Sequence, residues 1–255
     1  MSSTALSLNL NKIALLRNSR EGNYPNPVAF GQHCIEAGGQ GITVHPRPDQ
    51  RHIRPDDVYE LAELCRKYDH IEFNVEGNPF AGEIGKYPGF LKLVEATRPD
   101  QVTLVPDIDD QLTSDHGFNL KTDGDRIRPI IQQLHVQGIR VSLFMDPDPE
   151  QIALARDIGA NRIELYTGPY AWAFEHNDKN LETLIQRYAD AAKVAQDIGL
   201  GVNAGHDLNL DNLSRFLQIP DILEVSIGHA FTADSLLMGM KSCIQAYLDI
   251  AQSGS

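Results

Sequence analysis

The sequence predicts an α/β fold, a single (β/α)8 barrel over residues 1–255 with long loops after its third and fourth strands. Three observations predict it. Eight short β-like runs recur along the chain, each followed by a segment compatible with a helix, and that alternation implies parallel strands joined by right-handed crossovers. The length of 255 residues matches one barrel, for which about 250 is typical. Several runs carry His, Glu or Arg at or near their ends, as in GITVHPR (41–47), HIEFNVE (70–76), RIELYTG (162–168), GVNAGH (201–206) and EVSIGH (224–229). The C-terminal ends of barrel strands are where such folds carry their chemistry.

In chain order, strands are expected at 6–11, 41–46, 70–75, 101–106, 140–146, 162–168, 201–206 and 222–229. Helical segments are expected at 27–38, 55–68, 123–138, 148–159, 180–199, 211–218 and 231–251, and Gly38, Gly138, Gly159 and Gly199 stand where helix ends need them. The connections 76–90 and 107–125, rich in Gly, Pro, Asp and Asn, leave strand C-terminal ends and suit lids over a site. The extreme termini, about 1–4 and 252–255, are expected to be flexible.

Side-chain parity sorts the strand residues, because neighbours along a strand point to opposite faces. Leu6, Leu8, Leu10, Ile42, Val44, Ile71, Phe73 and Val75 are assigned to the helix side. Ser7, Asn9, Asn11, Thr43, His45, Glu72, Asn74, Glu76 and Glu164 are assigned to the interior. Most barrels fill that space with branched apolar side chains, so carboxylates there must be hydrogen-bonded, paired or retained for a reaction.

The formal net charge of −13 argues against a nucleic-acid partner, which requires a basic face. Cys34, Cys65 and Cys243 are widely spaced and form no CxxC motif, as expected of a cytoplasmic protein. Neither a secretory signal nor a membrane-spanning stretch is indicated.

His45, Glu72, Glu164 and His206 form the candidate acid–base set, since a reaction with several proton transfers needs more than one group titrating near neutrality. Arg17 and Arg20 follow strand one, and Arg47, Arg51, His52 and Arg54 follow strand two. Such a basic cluster on an acidic chain suits phosphate or carboxylate substrates. Gly228 and His229 precede a helix after strand eight, a usual barrel phosphate position. His206 and His229 break strand parity and so are assigned to turns.

The runs NKIALLRNSR (11–20), GITVHPRPDQRHI (41–53), VSLFMDPDPEQI (141–152), IELYTGPYA (163–171), VNAGHDLNLDNL (202–213) and SIGHA (226–230) together resemble the pyridoxine 5′-phosphate synthase family of vitamin B6 biosynthesis. The resemblance implies condensation of 1-deoxy-D-xylulose 5-phosphate with 3-amino-2-oxopropyl phosphate to pyridoxine 5′-phosphate, phosphate and water, with no metal or other cofactor. It makes His45 and Glu72 general bases or acids, His206 a proton donor and Glu164 a residue assisting the transition state. It assigns Asn9, Arg20, Asp207, Gly228 and His229 to the amino-ketone phosphate, and Arg47, His52 and Thr113 to the sugar phosphate. It also implies a homo-oligomer, an octamer built from dimers.

Where well-known members carry Asp-His in a run N-x-D-H, this chain carries Asn11-Lys12, and Asp207 stands where many members have Gly. Positions 11 and 12 are implied sugar-phosphate contacts, and Lys12 can bind a phosphate directly. Two other readings fit the residues alone. One is a metal-dependent barrel isomerase or aldolase with His45, Glu72, Glu164 and His206 as ligands; the other is a non-catalytic phosphosugar-binding paralogue.

Overall fold

The structure, a computed structural model, describes residues 3–108 and 111–253. Eight parallel strands close on themselves in chain order: β1 (Ala5–Asn9), β2 (Gly41–Val44), β3 (Glu72–Gly77), β4 (Gln101–Leu104), β5 (Arg140–Met145), β6 (Arg162–Tyr166), β7 (Gly201–Gly205) and β8 (Ile222–Ile227). β1 pairs with both β2 and β8, which removes the sheet's edges.

Helices follow every strand: α1 (Asn11–Asn18) and α2 (Pro27–Glu36), α3 (Pro55–Cys65), α4 (Phe90–Thr97), α5 (Leu120–Val136), α6 (Pro149–Asp157), α7 (Gly168–Glu175) and α8 (Leu181–Asp197), α9 (Leu213–Phe216), then α10 (His229–Met238) and α11 (Met240–Ser253). Local chemistry sets their starts. Asn26 accepts from the backbone N–H groups of Val28 and Ala29, and Asp148 from those of Glu150 and Gln151; each is followed by a proline at the first helical position, where a missing N–H costs nothing. The segment expected as one helix at 231–251 breaks at Gly239, whose φ of 77° ends α10. α1 and α7 begin on Asn11 and Gly168, the last residues expected of strands one and six, and neither they nor α4 were assigned from the sequence.

The apolar core lies between sheet and helices. Leu6, Leu8, Ile42, Val44, Phe73, Val75, Val102, Leu104, Val141 and Leu143 are buried on the outer face of the strands, as parity predicts. Inside, a polar belt crosses the barrel: Ser7 to Thr43 at 2.7 Å, Asn74 to Thr43 at 3.4 Å, Thr103 to Asn74 at 3.2 Å and Thr103 to Glu164 at 3.4 Å. Each member has a partner, which offsets the cost of burying it.

Register fixes height along the axis, and here one sequence expectation is corrected. Glu72 opens β3 opposite Gly41, whereas Glu76 lies four residues on, opposite Thr103 of β4. At the usual rise per residue these two glutamates are about 13 Å apart along the strand. Glu72 therefore sits at the N-terminal end of the barrel, ion-paired with Arg140. It lines a separate cavity of about 190 Å³ with Gln40, His70, Arg162 and Glu224.

The two long connections are 78–89 and 105–119, and residues 109–110 of the second lie outside the described residues. So do residues 1–2 and 254–255 of the termini. Thr4 is buried and donates to the Ile222 carbonyl at 2.8 Å, and α11 extends to Ser253, so Thr4 and the segment ending at Ser253 are held in the fold. Among the described residues no helix is long and apolar enough to cross a membrane.

Candidate active site

A cavity of about 380 Å³ opens at the C-terminal mouth of the barrel, lined by residues from loops one, two, four, seven and eight and from the strand ends beneath them. Of the residues expected from sequence, it gathers Asn9, Asn11, Lys12, His45, Arg47, His52, Thr113, Glu164, His206, Asp207, Gly228 and His229. It does not gather Glu72, whose height in β3 puts it at the other end, nor Arg20, which lies exposed two residues beyond α1. Arg17 also leaves the expected basic rim: fully buried, it makes a two-pronged ion pair with Asp57 at 2.5 and 2.8 Å and ties α1 to α3.

Loop one is organised by amides. Asn9 Oδ1 accepts from the Asn11 backbone N–H at 3.0 Å, and Asn11 Oδ1 in turn accepts from the His45 backbone N–H at 2.9 Å. An amide at position 11 thus anchors the strand-two histidine as well as lining the cavity. His45 is buried, its Nδ1 3.9 Å from Glu76 Oε2 and its Nε2 3.4 Å from Asp107 Oδ2. Burial first, then the neighbouring Arg47, His52 and Arg51, hold its pKa well below the ordinary value. The neighbouring carboxyls do not reverse this, because Glu76 is held largely in its neutral form and Asp107 is engaged by Arg47. His45 therefore stands neutral near pH 7, able to accept a proton.

Glu76, not Glu72, is the β3 carboxyl that lines this cavity. It is buried, accepts from Asn9 Nδ2 at 3.4 Å, and its pKa is driven well above the usual range by burial and by Glu164, Asp107 and Glu224, against Arg47. Glu164, on β6 three strands away around the barrel, is pushed up to about 8 by burial and by Glu224, with the Thr103 hydrogen bond opposing. Gly205 makes room for it: a Cβ there would stand 2.3 Å from Glu164 Oε1. The mouth thus holds two carboxyls that can donate a proton beside an imidazole that can accept one.

His206 and Asp207 lie beyond β7 with φ of 81° and 59°, left-handed values costly for residues with a Cβ. This confirms the turn position inferred from parity. His206 Nε2 lies 2.9 Å from Thr113 Oγ1 of the fourth loop, its Nδ1 lies 2.8 Å from Asp207 Oδ2, and its ring meets Tyr166 edge-on at 5.1 Å. The His206 hydrogen bond, with His206, His229 and Lys12 nearby, lowers the Asp207 pKa. Asp207 is thus an ionised orienting partner for His206.

Basic side chains and backbone donors complete the rim. Lys12, Arg47, Arg51, His52 and His229 line the cavity, and burial with Arg47 and Lys12 pushes His52 down to about 3. His229 opens α10 after Gly228, so the helix's free N–H groups face the cavity rim, a geometry suited to an anion. A Cβ at Gly228 would press on Asn9 at 3.1 Å. The four ligands of the metal-site reading do not come together, since Glu72 lies at the opposite end of the barrel from His45, Glu164 and His206.

Sequence reasoning missed Glu76 and Asp107. Parity had already turned Glu76 inward, and its place at the end of β3 was the remaining signal. Asp107 follows Val105-Pro106 just past β4 in a segment read as a mobile loop, yet it is buried.

The description "Pyridoxal phosphate biosynthesis protein PdxJ" belongs to the family model that matches residues 6–253. The chain belongs to this family. Pyridoxine 5′-phosphate synthase of Xanthomonas campestris pv. campestris (strain B100) is 55% identical over 254 residues, covering 99% of this chain and 98% of that protein. The enzyme of the same name from Xylella fastidiosa (strain M23) is 51% identical over 251 residues, covering 98% and 95%. Among solved structures, 3-hexulose-6-phosphate synthase from Salmonella typhimurium aligns over 99% of this chain and all of its own with a TM-score of 0.65 at 17% identity, a likeness of fold alone.

Proposed function

We propose that the chain condenses 1-deoxy-D-xylulose 5-phosphate with 3-amino-2-oxopropyl phosphate to form pyridoxine 5′-phosphate, phosphate and water. One observation carries the mechanism: a buried neutral histidine, two largely protonated glutamates and two anion-binding groups line a single cavity. The family and the identities above support the same reading.

Lys12, Arg47, Arg51 and His52 hold the sugar phosphate, while the start of α10 with His229 holds the amino-ketone phosphate across the cavity. The two anion sites bring the amine nitrogen against the ketone carbon, and the N–C bond forms as water leaves to give an imine. His45 accepts the carbon-bound protons, Glu76 and Glu164 protonate departing oxygens, and His206 donates to the leaving group under the fourth loop. Loss of a sugar hydroxyl as water, elimination of phosphate, addition of water and an aldol-type closure with loss of water complete the ring, so that one phosphate and a net two waters leave. The chain needs no nucleic-acid or membrane partner for this reaction and works in the cytoplasm. It assembles as a homo-oligomer, for which the exposed Leu236, Leu237 and Met238 of α10 and Leu15 and Leu16 of α1 offer apolar surface.

Incubation with both phosphorylated substrates and no added metal should yield pyridoxine 5′-phosphate and stoichiometric phosphate. Tight binding of the sugar phosphate without product would assign the chain to the binding-protein class instead.

A further inference from the structure

One oxygen atom in the site gathers three groups that the reaction uses or must control. Asp107 Oδ2 accepts from the Arg47 guanidinium, accepts from Ser114 Oγ at 3.0 Å, and lies 3.4 Å from His45 Nε2. Those partners come from different parts of the mouth: His45 from the end of β2, Arg47 two residues on, and Ser114 from the fourth loop. Asp107 is buried, as are His45, Arg47 and Ser114. Its own backbone is fixed from the third loop, where Asn78 Nδ2 donates to the Asp107 carbonyl at 2.6 Å. The other Arg47 prong, NH1, donates to the Gln111 carbonyl at 3.2 Å.

The charges make this more than packing. A buried guanidinium is costly unless paired, and a guanidinium waiting for a phosphate has no phosphate partner before substrate arrives. Asp107 supplies a carboxyl partner during that interval: burial raises its pKa, and Arg47 and the Ser114 hydrogen bond oppose that rise. The same carboxylate must then compete with the incoming phosphate, since like charges repel strongly in a partly dry cavity. It also faces one ring nitrogen of His45 at 3.4 Å, the placement from which a carboxylate can orient a catalytic histidine.

We propose that Asp107 is a positioning residue for this site, holding Arg47 and His45 in reactive orientation through one carboxylate oxygen while opposing phosphate binding at Arg47. The proposal rests on the reaction assigned above but predicts a binding effect that does not depend on it.

The test is Asp107→Asn, which keeps size and hydrogen-bonding capacity and removes the charge. Two readouts are needed: turnover with both substrates, and the affinity for inorganic phosphate by calorimetric titration of the free protein. The expected result is a kcat loss of about tenfold or more with an unchanged or lowered KM for the sugar phosphate, together with inorganic phosphate bound at least about threefold tighter. A merely structural role would weaken phosphate binding and raise KM along with the kcat loss, and that outcome overturns the proposal, as does wild-type turnover. If the unsubstituted protein makes no product, the assigned reaction fails, and the phosphate titration alone still decides for or against Asp107. If Asp107→Asn does not fold, Ser114→Ala is used: a severalfold kcat loss with phosphate affinity retained supports the role, and unchanged turnover overturns it.

Discussion

Asn11 Oδ1 holds the backbone N–H of His45 at 2.9 Å, so a loop-one amide sets the position of the strand-two base. This accounts for how the chain tolerates Asn where relatives were expected to carry Asp. The bond needs only an acceptor oxygen, and a carbonyl supplies one as a carboxylate does.

Asn11→Ala should therefore act through His45. The lost hydrogen bond costs about 1 kcal/mol of stability, and the displaced histidine lowers kcat by about tenfold. Asn11→Asp, which restores an acceptor, should retain His45 in place. Steady-state kinetics of the pair check this, and equal losses in both variants would show that the amide itself binds substrate.

Gly205 tests the Glu164 geometry from behind. An added methyl would stand 2.3 Å from Glu164 Oε1, the mobile end of a side chain, so the carboxyl must move while the barrel can keep its fold. Gly205→Ala should cost about 1–3 kcal/mol of stability but reduce kcat on the order of a hundredfold. Thermal unfolding and turnover, measured on the same preparation, separate the two effects.

Glu164 and Glu224 also give the fold a pH dependence. Both pKa values are raised, to about 8 and about 7, so the folded state binds protons that the unfolded chain releases near pH 4.5. Their stabilising contribution is full below that pH and is lost as pH rises toward 8. His45 and His52 act oppositely, because their lowered values make stability rise with pH up to about 6.5, the unfolded histidine value. Above that the carboxyl effect stands alone. The melting temperature should fall between about pH 6.5 and 8, and Glu164→Gln should remove part of that fall, with Glu76 and Glu224 carrying the rest; an identical slope in the variant would contradict the assigned protonation.

Fold and site were unequally legible in the sequence. Alternation such as Leu6-Ser7-Leu8-Asn9 reveals both the strand and its faces, because one face must pack on helices and the other on a polar belt. Parity cannot reveal height. Glu72 and Glu76 share a face, and only the register with β2 and β4 shows which one reaches the mouth. α1 and α7 were hidden because their first residues continue a strand-like pattern, with Asn11 following Leu8-Asn9-Leu10 and Gly168 following Tyr166-Thr167. Arg17 looked like a rim cation because its partner, Asp57, lies 40 residues away. Asp107 was invisible for a similar reason, since its role depends on three loops meeting.

The exchange of Glu72 for Glu76 is the sharpest consequence of that register. Glu72 is about half exposed and paired with Arg140, and its pair at the barrel's far end is worth about 0–1 kcal/mol. The most direct measurement compares Glu72→Gln and Glu76→Gln for formation of pyridoxine 5′-phosphate. The account predicts near-wild-type turnover for Glu72→Gln and a loss of about 10²–10⁴-fold for Glu76→Gln, with substrate binding retained. Loss of turnover in Glu72→Gln with activity intact in Glu76→Gln would contradict it.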